Sequence, residues 1–277
     1  LQIDDQSKIR NRKSKIKKAM TLSSRAQQIV PPALVFIGVI ALWEALVRVL
    51  NIPQFLLPAP SAILGALAET FSLVMSSALY TFRSALIGFL IGCSAGALVA
   101  LATSRWTTVR EGLMPLAIAV NSVPILAFAP ILNNWFGTVN PASKIAIVAI
   151  ITFFPMMINM VRGLTLVEPA KLELMRSYAT TPYDVLAKVR LPNALPYFFN
   201  ALKICSTLSV IGAIVGEYFG GPRGTLGVYI LQEAKLFRFD NAWAAIIIAA
   251  LLGIVFYLII ITLERIAIPW HASIEKG

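Results

Sequence analysis

Glu168 to Pro192 reads EPAKLELMRSYATTPYDVLAKVRLP, a polar interruption between strongly apolar segments. Leu172, Met175 and Ala179 recur at helical spacing, with Lys171, Glu173 and Arg176 between them, so the pattern predicts a short amphipathic helix. Thr181 is placed to cap a second helix, with Pro182 at its first position and Asp184 at its third, a capping box with Asp in place of Glu or Gln. Val185 and Val189 give that helix an apolar side, and Pro192 and Pro196 are expected to break the pattern where the chain returns to the apolar phase. Two short helices at a capped turn make a compact knob. Such a knob either transmits force between a membrane domain and a soluble partner or rests on the lipid surface as an amphipathic linker.

The segment resembles the signature loop of permease subunits of bacterial ATP-binding-cassette importers. In that loop a Glu-Ala-Ala triplet is followed, four positions after its last member, by Gly, and later by a hydrophobic residue, a spacer and Leu-Pro. Glu173 stands at the Glu, Leu174 and Met175 at the two alanines, Ala179 at the Gly, Val189 at the hydrophobic position, and Leu191 with Pro192 at the Leu-Pro. The similarity runs from about Pro31 to Arg265 and is closest to the branch importing nitrate, sulfonates, taurine, bicarbonate and pyrimidine or flavin vitamin precursors.

Composition agrees with a membrane domain. Of 277 residues, 58% are hydrophobic and 13% charged, and mean hydropathy is +0.78. The net charge of +11 comes from 24 Lys and Arg against 13 Asp and Glu. Eighteen of those 24 fall in residues 8–25, 104–112, 162–203 and 264–277, and only three in 51–78, 133–142 and 219–240. This asymmetry places the first set, with both termini, on the cytoplasmic side. Basic residues are not interleaved with aromatic ones, which argues against a nucleic-acid partner. Cys93 and Cys205 lie in apolar segments and read as packing residues, and His271 has no clustered ligand partners. No Walker A pattern occurs, so no cofactor is expected on this chain. The basic run before a membrane-length span does not read as a cleavable signal.

The pattern predicts an all-α integral membrane protein of about six spans. Residues 1–28 form a basic cytoplasmic segment, either an interfacial helix or a flexible tether, 29–265 the transmembrane domain with its cytoplasmic loop at 168–192, and 266–277 a cytoplasmic tail. The first span, about Ile29 to Leu50, carries Glu44 and Arg48 four apart, spaced to pair or to serve a transport path. An external segment from Asn51 to Ala78 is expected to hold a Pro-rich turn and a short surface helix over 62–75. The second span, Leu79 to Thr103, aligns Ser84, Gly88, Gly92, Gly96 and Ala100 at four-residue steps, a face for close helix packing. The third, about Leu113 to Leu132, contains Pro115, Asn121, Pro124 and Pro130, a broken helix suited to a pathway lining. An external turn from Asn133 to Pro141, with Trp135 as an interfacial anchor, leads to the fourth span, Ser143 to Val161. The fifth, Tyr197 to Phe219, carries Lys203, whose long side chain is expected to reach the inner interface, Ser209, and Glu217, either a gate or a satisfied structural carboxylate. Gly220 to Asp240 is an external loop with a lid-like helix, a docking surface for a binding protein, and the sixth span is Asn241 to Leu263. Asn121, Pro124, Ser209 and Glu217 are the candidate pathway or gate residues.

The resemblance implies a type I importer-like permease. Two copies form the pathway, and each loop inserts into one of two cytoplasmic ATPase subunits that bind ATP and magnesium. An external solute-binding protein delivers substrate. Coupling falls to Glu173, Arg176, Ala179, Thr181, Pro182 and Asp184, as contacts rather than catalysts. PNALPYFFNALKI (residues 192–204) and VIGAIVGE (residues 210–217) are similar to vitamin-precursor permeases, implying a thiamine pyrimidine precursor or riboflavin. The alternatives are a small anion such as a sulfonate, taurine, nitrate or bicarbonate, or, as another class, a passive channel or ion-coupled carrier.

Overall fold

The computed structural model describes residues 30–103, 106, 112, 115–120 and 125–270. The expected basic N-terminal segment, Arg105, Arg110, Asn121, Pro124 and His271 lie outside the described residues. Among those described, all regular structure is helical, and five helices are long and apolar enough to cross a membrane. The chain divides into two compact units, Leu1–Gly65 and Ala66–Gly277.

In the first unit, α1 (Val30–Val49) is the first span. Glu44 and Arg48 pair at 2.6 Å, as their spacing predicts. The same carboxylate accepts from the Ser61 backbone N–H at 3.0 Å and from its hydroxyl at 2.7 Å, in the first turn of α2 (Pro60–Thr103). An ion pair in the first span thus also satisfies a donor that the next helix leaves free.

α2 continues through the second unit as one helix of 44 residues. This corrects the expected division into a surface helix over 62–75 and a separate span from Leu79. Ser76 and Ser77 sit where a break is expected, but both hydroxyls donate to the Leu73 carbonyl, at 2.8 and 2.9 Å. The serines find their partners on the helix and have no cause to interrupt it. At 1.5 Å per residue the helix spans about 66 Å, well beyond the hydrocarbon layer.

Residues 115–120 are helical, and α3 (Ile125–Phe136) follows with Pro130 inside it. Asn133 and Trp135, expected in a turn, belong to the end of this helix. Asn140 then caps α4 (Pro141–Thr165) by accepting from Ala142 N at 3.0 Å. After the polar loop comes α6 (Pro182–Tyr218), which absorbs Pro192 and Pro196 without breaking. The expected break is replaced by a π-helical stretch, Leu186–Arg190. Leu191 N–H reaches back to the Leu186 carbonyl, so Pro192 falls in the first turn of a fresh α segment, where a missing N–H costs little. α7 (Leu226–Lys235) and α8 (Phe239–Ala267) complete the chain.

The predicted small-residue face of α2 meets α4 directly. A Cβ on Gly88 would lie 2.5 Å from Val148 Cβ, one on Gly96 would lie 2.5 Å from the Phe153 carbonyl, and one on Gly92 would collide with Thr152 Oγ1 and the Ala149 carbonyl. Only hydrogen fits at these crossings, which lets van der Waals contact hold the helices in the absence of water. Cys93 and Cys205 are buried free thiols in the same core. Lys203 pairs with Glu264 of α8 at 3.0 Å, an acceptor within reach near the end of that helix.

Candidate functional site

The polar loop folds as a helix, a sharp turn and a helix. α5 (Pro169–Ser177) has Pro in its first turn, and no residue of it is buried. Its C-terminus closes in a Schellman arrangement: Ala179 N–H donates to the Arg176 carbonyl at 2.9 Å and Thr180 N–H to the Met175 carbonyl at 3.3 Å. Ala179 occupies the left-handed position of that motif, with φ +50°. Glycine is favoured there because it has no Cβ to clash, which accounts physically for the Gly that the resembling loops carry. Thr180 Oγ1 adds a bond to the Met175 carbonyl at 2.9 Å.

The predicted capping box is present. Thr181 Oγ1 accepts from Asp184 N at 3.2 Å, and Asp184 Oδ2 accepts from Thr181 N at 3.3 Å and from its hydroxyl at 2.6 Å. Lys188, one turn on, pairs with Asp184 at 2.7 Å. Glu173, Arg176, Ala179, Thr181 and Pro182 are exposed on the knob, and Asp184 is half-buried beneath it. Tyr178, Tyr183 and Leu174 are also exposed, at 71, 76 and 55%. Three large apolar side chains on a polar loop suit a protein contact better than water. The two tyrosines, flanking the capped turn on either side, are the sequence signal for this, one that apolar periodicity does not register.

The knob is tied to its two supporting spans. Asn193 Nδ2 of α6 donates to the Gly163 carbonyl at 2.8 Å and the Leu166 carbonyl at 3.1 Å, at the end of α4. Gly163 permits this approach, since a Cβ there would stand 2.8 Å from Ala194 Cα. A displacement of the knob therefore acts on α4 and α6 together.

Those helices also wall a cavity of about 470 Å³. Val120 and Phe128 line it beside Phe154, Pro155 and Asn159 of α4 and Ile204 of α6. Asn159 is its sole polar side chain among the described residues. Pro155 and Asn159, a Pro and an Asn four apart in an apolar run, escaped the sequence reading. Ser209, a candidate pathway residue, is fully buried and donates to the Ser206 carbonyl at 2.8 Å.

At the far end of α6, Glu217 is 1% exposed. Its Oε2 accepts from Thr81 Oγ1 of α2 at 2.9 Å and from Gly227 N of α7 at 3.0 Å. Thr81 Oγ1 in turn accepts from Leu226 N at 3.0 Å. These bonds supply partners to the first N–H groups of α7 and fasten it to two spans. Lys144, which the sequence reading did not single out, is also 1% exposed. It donates to Asn133 Oδ1 at 3.1 Å, to Ser143 Oγ at 2.9 Å and to the Thr138 carbonyl, holding the turn between α3 and α4. Its sequence signal is a cation at the start of an apolar span.

Among the described residues, membrane-length helices, a paired-helix knob and an apolar cavity fit a membrane transport subunit. Residues 88–270 match the family described as binding-protein-dependent transport system inner membrane component, and the chain belongs to that family. It is a transmembrane permease of the ATP-binding-cassette importer class. The formylaminopyrimidine transport permease protein of Halalkalibacterium halodurans is 32% identical, over 89% of this chain and 98% of its own length. The aliphatic sulfonates transport permease protein of Escherichia coli is 31% identical, over 88% of this chain and 93% of its own length. A crystal structure of an amino acid ABC transporter shares the fold, with a TM-score of 0.54, 18% identity, and coverage of 72% of this chain and 96% of that one.

Proposed function

We propose that two copies of this chain form an import pathway for a small, uncharged nitrogen heterocycle. The compound is of the thiamine pyrimidine precursor or riboflavin kind, the pyrimidine being favoured. The cavity carries the reading: among the described residues its lining is apolar and aromatic with one carboxamide and no cation. A small anion such as a sulfonate would enter it without a compensating charge, a costly transfer. The similarity to permeases for either class of solute is nearly equal, and the chemistry of the lining supports the heterocycle.

The energy comes from two ATPase subunits on the cytoplasmic side, which hold ATP and magnesium. Each knob seats in one of them through Leu174, Tyr178 and Tyr183, with Glu173, Arg176, Thr181 and Pro182 around that patch and Ala179 and Asp184 keeping its shape. A solute-binding protein docks outside, where α7 presents Leu236 and Phe237, 59 and 70% exposed, just beyond its end. On this reading the chain sits in a bacterial inner membrane with both termini in the cytoplasm.

The test is ATPase activity and uptake by the reconstituted complex of permease, ATPase and binding protein, screened with pyrimidines, flavins, sulfonates, taurine and nitrate. Stimulation by pyrimidines or flavins is expected. Stimulation by an anion alone overturns the substrate reading, and uptake by this chain without ATPase or ATP overturns the importer reading in favour of a channel or carrier.

A further inference from the structure

Three features of the cavity converge on one ligand chemistry. First, Asn159 Nδ2 donates to the Pro155 carbonyl at 2.8 Å. That bond fixes which end of the carboxamide is nitrogen, because a carbonyl oxygen accepts only from a donor. It uses one of the two N–H groups. Oδ1 accepts no hydrogen bond among the described residues, so an oxygen and a second N–H remain side by side for a ligand.

Second, Pro155 has no N–H to give the carbonyl of Ile151, four residues earlier on the same lined face of α4. The helix therefore carries an acceptor released from its usual bond one turn from the carboxamide. Third, Phe128 and Phe154 bring aromatic rings from two helices to the cavity, and Phe154 is held edge-on to Phe153 with ring centroids 4.9 Å apart. Flat apolar rings offer stacking surfaces to a planar heterocycle.

We propose that this cavity is a substrate subsite within the permease itself, in which the Asn159 carboxamide reads the amino edge of an aminopyrimidine while Phe128 and Phe154 contact its ring faces. An exocyclic amino group next to a ring nitrogen presents a donor beside an acceptor, the complement of a free amide oxygen beside an N–H; the same pairing lets Asn read adenine. The Ile151 carbonyl takes the ligand's remaining N–H. The volume falls in the range of about 300–1,000 Å³ usual for small-molecule sites. A carboxylate or sulfonate in the same place would bring its oxygens against two acceptors.

This inference rests on the heterocycle-import reading, and the experiment separates the two. Uptake of formylaminopyrimidine by the full complex tests the reading. Equilibrium binding of the radiolabelled compound to the permease–ATPase complex in nanodiscs, without binding protein, tests the subsite. The competitor is an analogue with methyl in place of the amino group. The wild type is expected to prefer the amino compound on the order of tenfold. Asn159→Leu and Asn159→Gln, the latter keeping polarity but displacing the fork by one methylene, should bring that ratio towards unity. Phe154→Leu should weaken both compounds together and leave the ratio intact. Because the ratio is read within each variant, a smaller folded fraction does not alter it. Uptake by the full complex with no binding to the permease, or an assembled Asn159 variant that retains the wild-type ratio, overturns the subsite and leaves the reading standing. No uptake of any pyrimidine or flavin by the full complex overturns the reading itself.

Discussion

Ala179→Gly should stabilise the knob. Ala179 holds φ +50° because the Schellman bonds from Ala179 to Arg176 and from Thr180 to Met175 require a left-handed residue between the two short helices. A Cβ in that conformation costs about 1–2 kcal/mol. Glycine removes the clash but gives the unfolded loop more freedom, worth about 0.4–1 kcal/mol in the opposite direction. The difference leaves roughly 0.5–1 kcal/mol in favour of glycine, which slows local opening about two- to fivefold. Hydrogen exchange by mass spectrometry on a peptide covering residues 175–181 of the intact complex reads this directly. Ala179→Val supplies the opposite arm, since a β-branched side chain tolerates positive φ worse than alanine, and exchange there should accelerate. Unchanged or faster exchange in Ala179→Gly, or wild-type exchange in Ala179→Val, would refute the claim that strain at this position limits the stiffness of the knob.

Gly92→Ala should lower the melting temperature of the complex in detergent, an overpacking cost of about 1–3 kcal/mol, because the atoms its Cβ meets include the Ala149 backbone. Gly65→Ala, with nothing within 4 Å of the added carbon, should be neutral or slightly stabilising in the same assay. Thr181→Val removes the hydroxyl at the centre of the capping box and should cost about 1 kcal/mol, seen as faster exchange over residues 182–185 and fewer solutes imported per ATP. Lys203→Met removes the cation paired with the Glu264 carboxylate and should destabilise in a chemical denaturation series, whereas Lys203→Met combined with Glu264→Leu should recover part of the loss.

What the sequence disclosed was local. The capping box at Thr181 and Asp184 needs only three residues in order, the Glu44–Arg48 pair only one helical turn, and the glycine face of α2 only a regular period. What it concealed depended on partners far along the chain or on backbone bookkeeping. Ser76 and Ser77 look like a loop until their hydroxyls are seen bonding back to Leu73. Pro192 and Pro196 look like breakers until the π-helical turn before them resets the hydrogen-bond register. Lys203 looks free to seek water until α8 brings Glu264 beside it. Asn159 looks like any polar residue in a span until Phe128, Phe154 and Ile204 close around the same space.

The arrangement also supplies a route by which a movement of the knob would alter the cavity. α4 and α6 leave the knob at its two ends and are clamped together there by Asn193. The same two helices wall the cavity, and at the other end of α6 Glu217 grips α7 through Gly227. A helix transmits displacement along its axis with little compression, since its packed neighbours resist small distortions. Pro155 interrupts α4 between the knob and the outer end, at the level of the cavity. A proline removes one backbone bond and makes a natural bending point. A pull on the knob would thus be carried along α6 and flex α4 at Pro155, changing the distance between Asn159 and Ile204. Replacing Pro155 by alanine restores that bond and should stiffen the bend, so that ATP is still hydrolysed but less solute crosses per turnover. A Pro155→Ala complex that keeps the wild-type ratio of uptake to hydrolysis would show that the bend lies elsewhere.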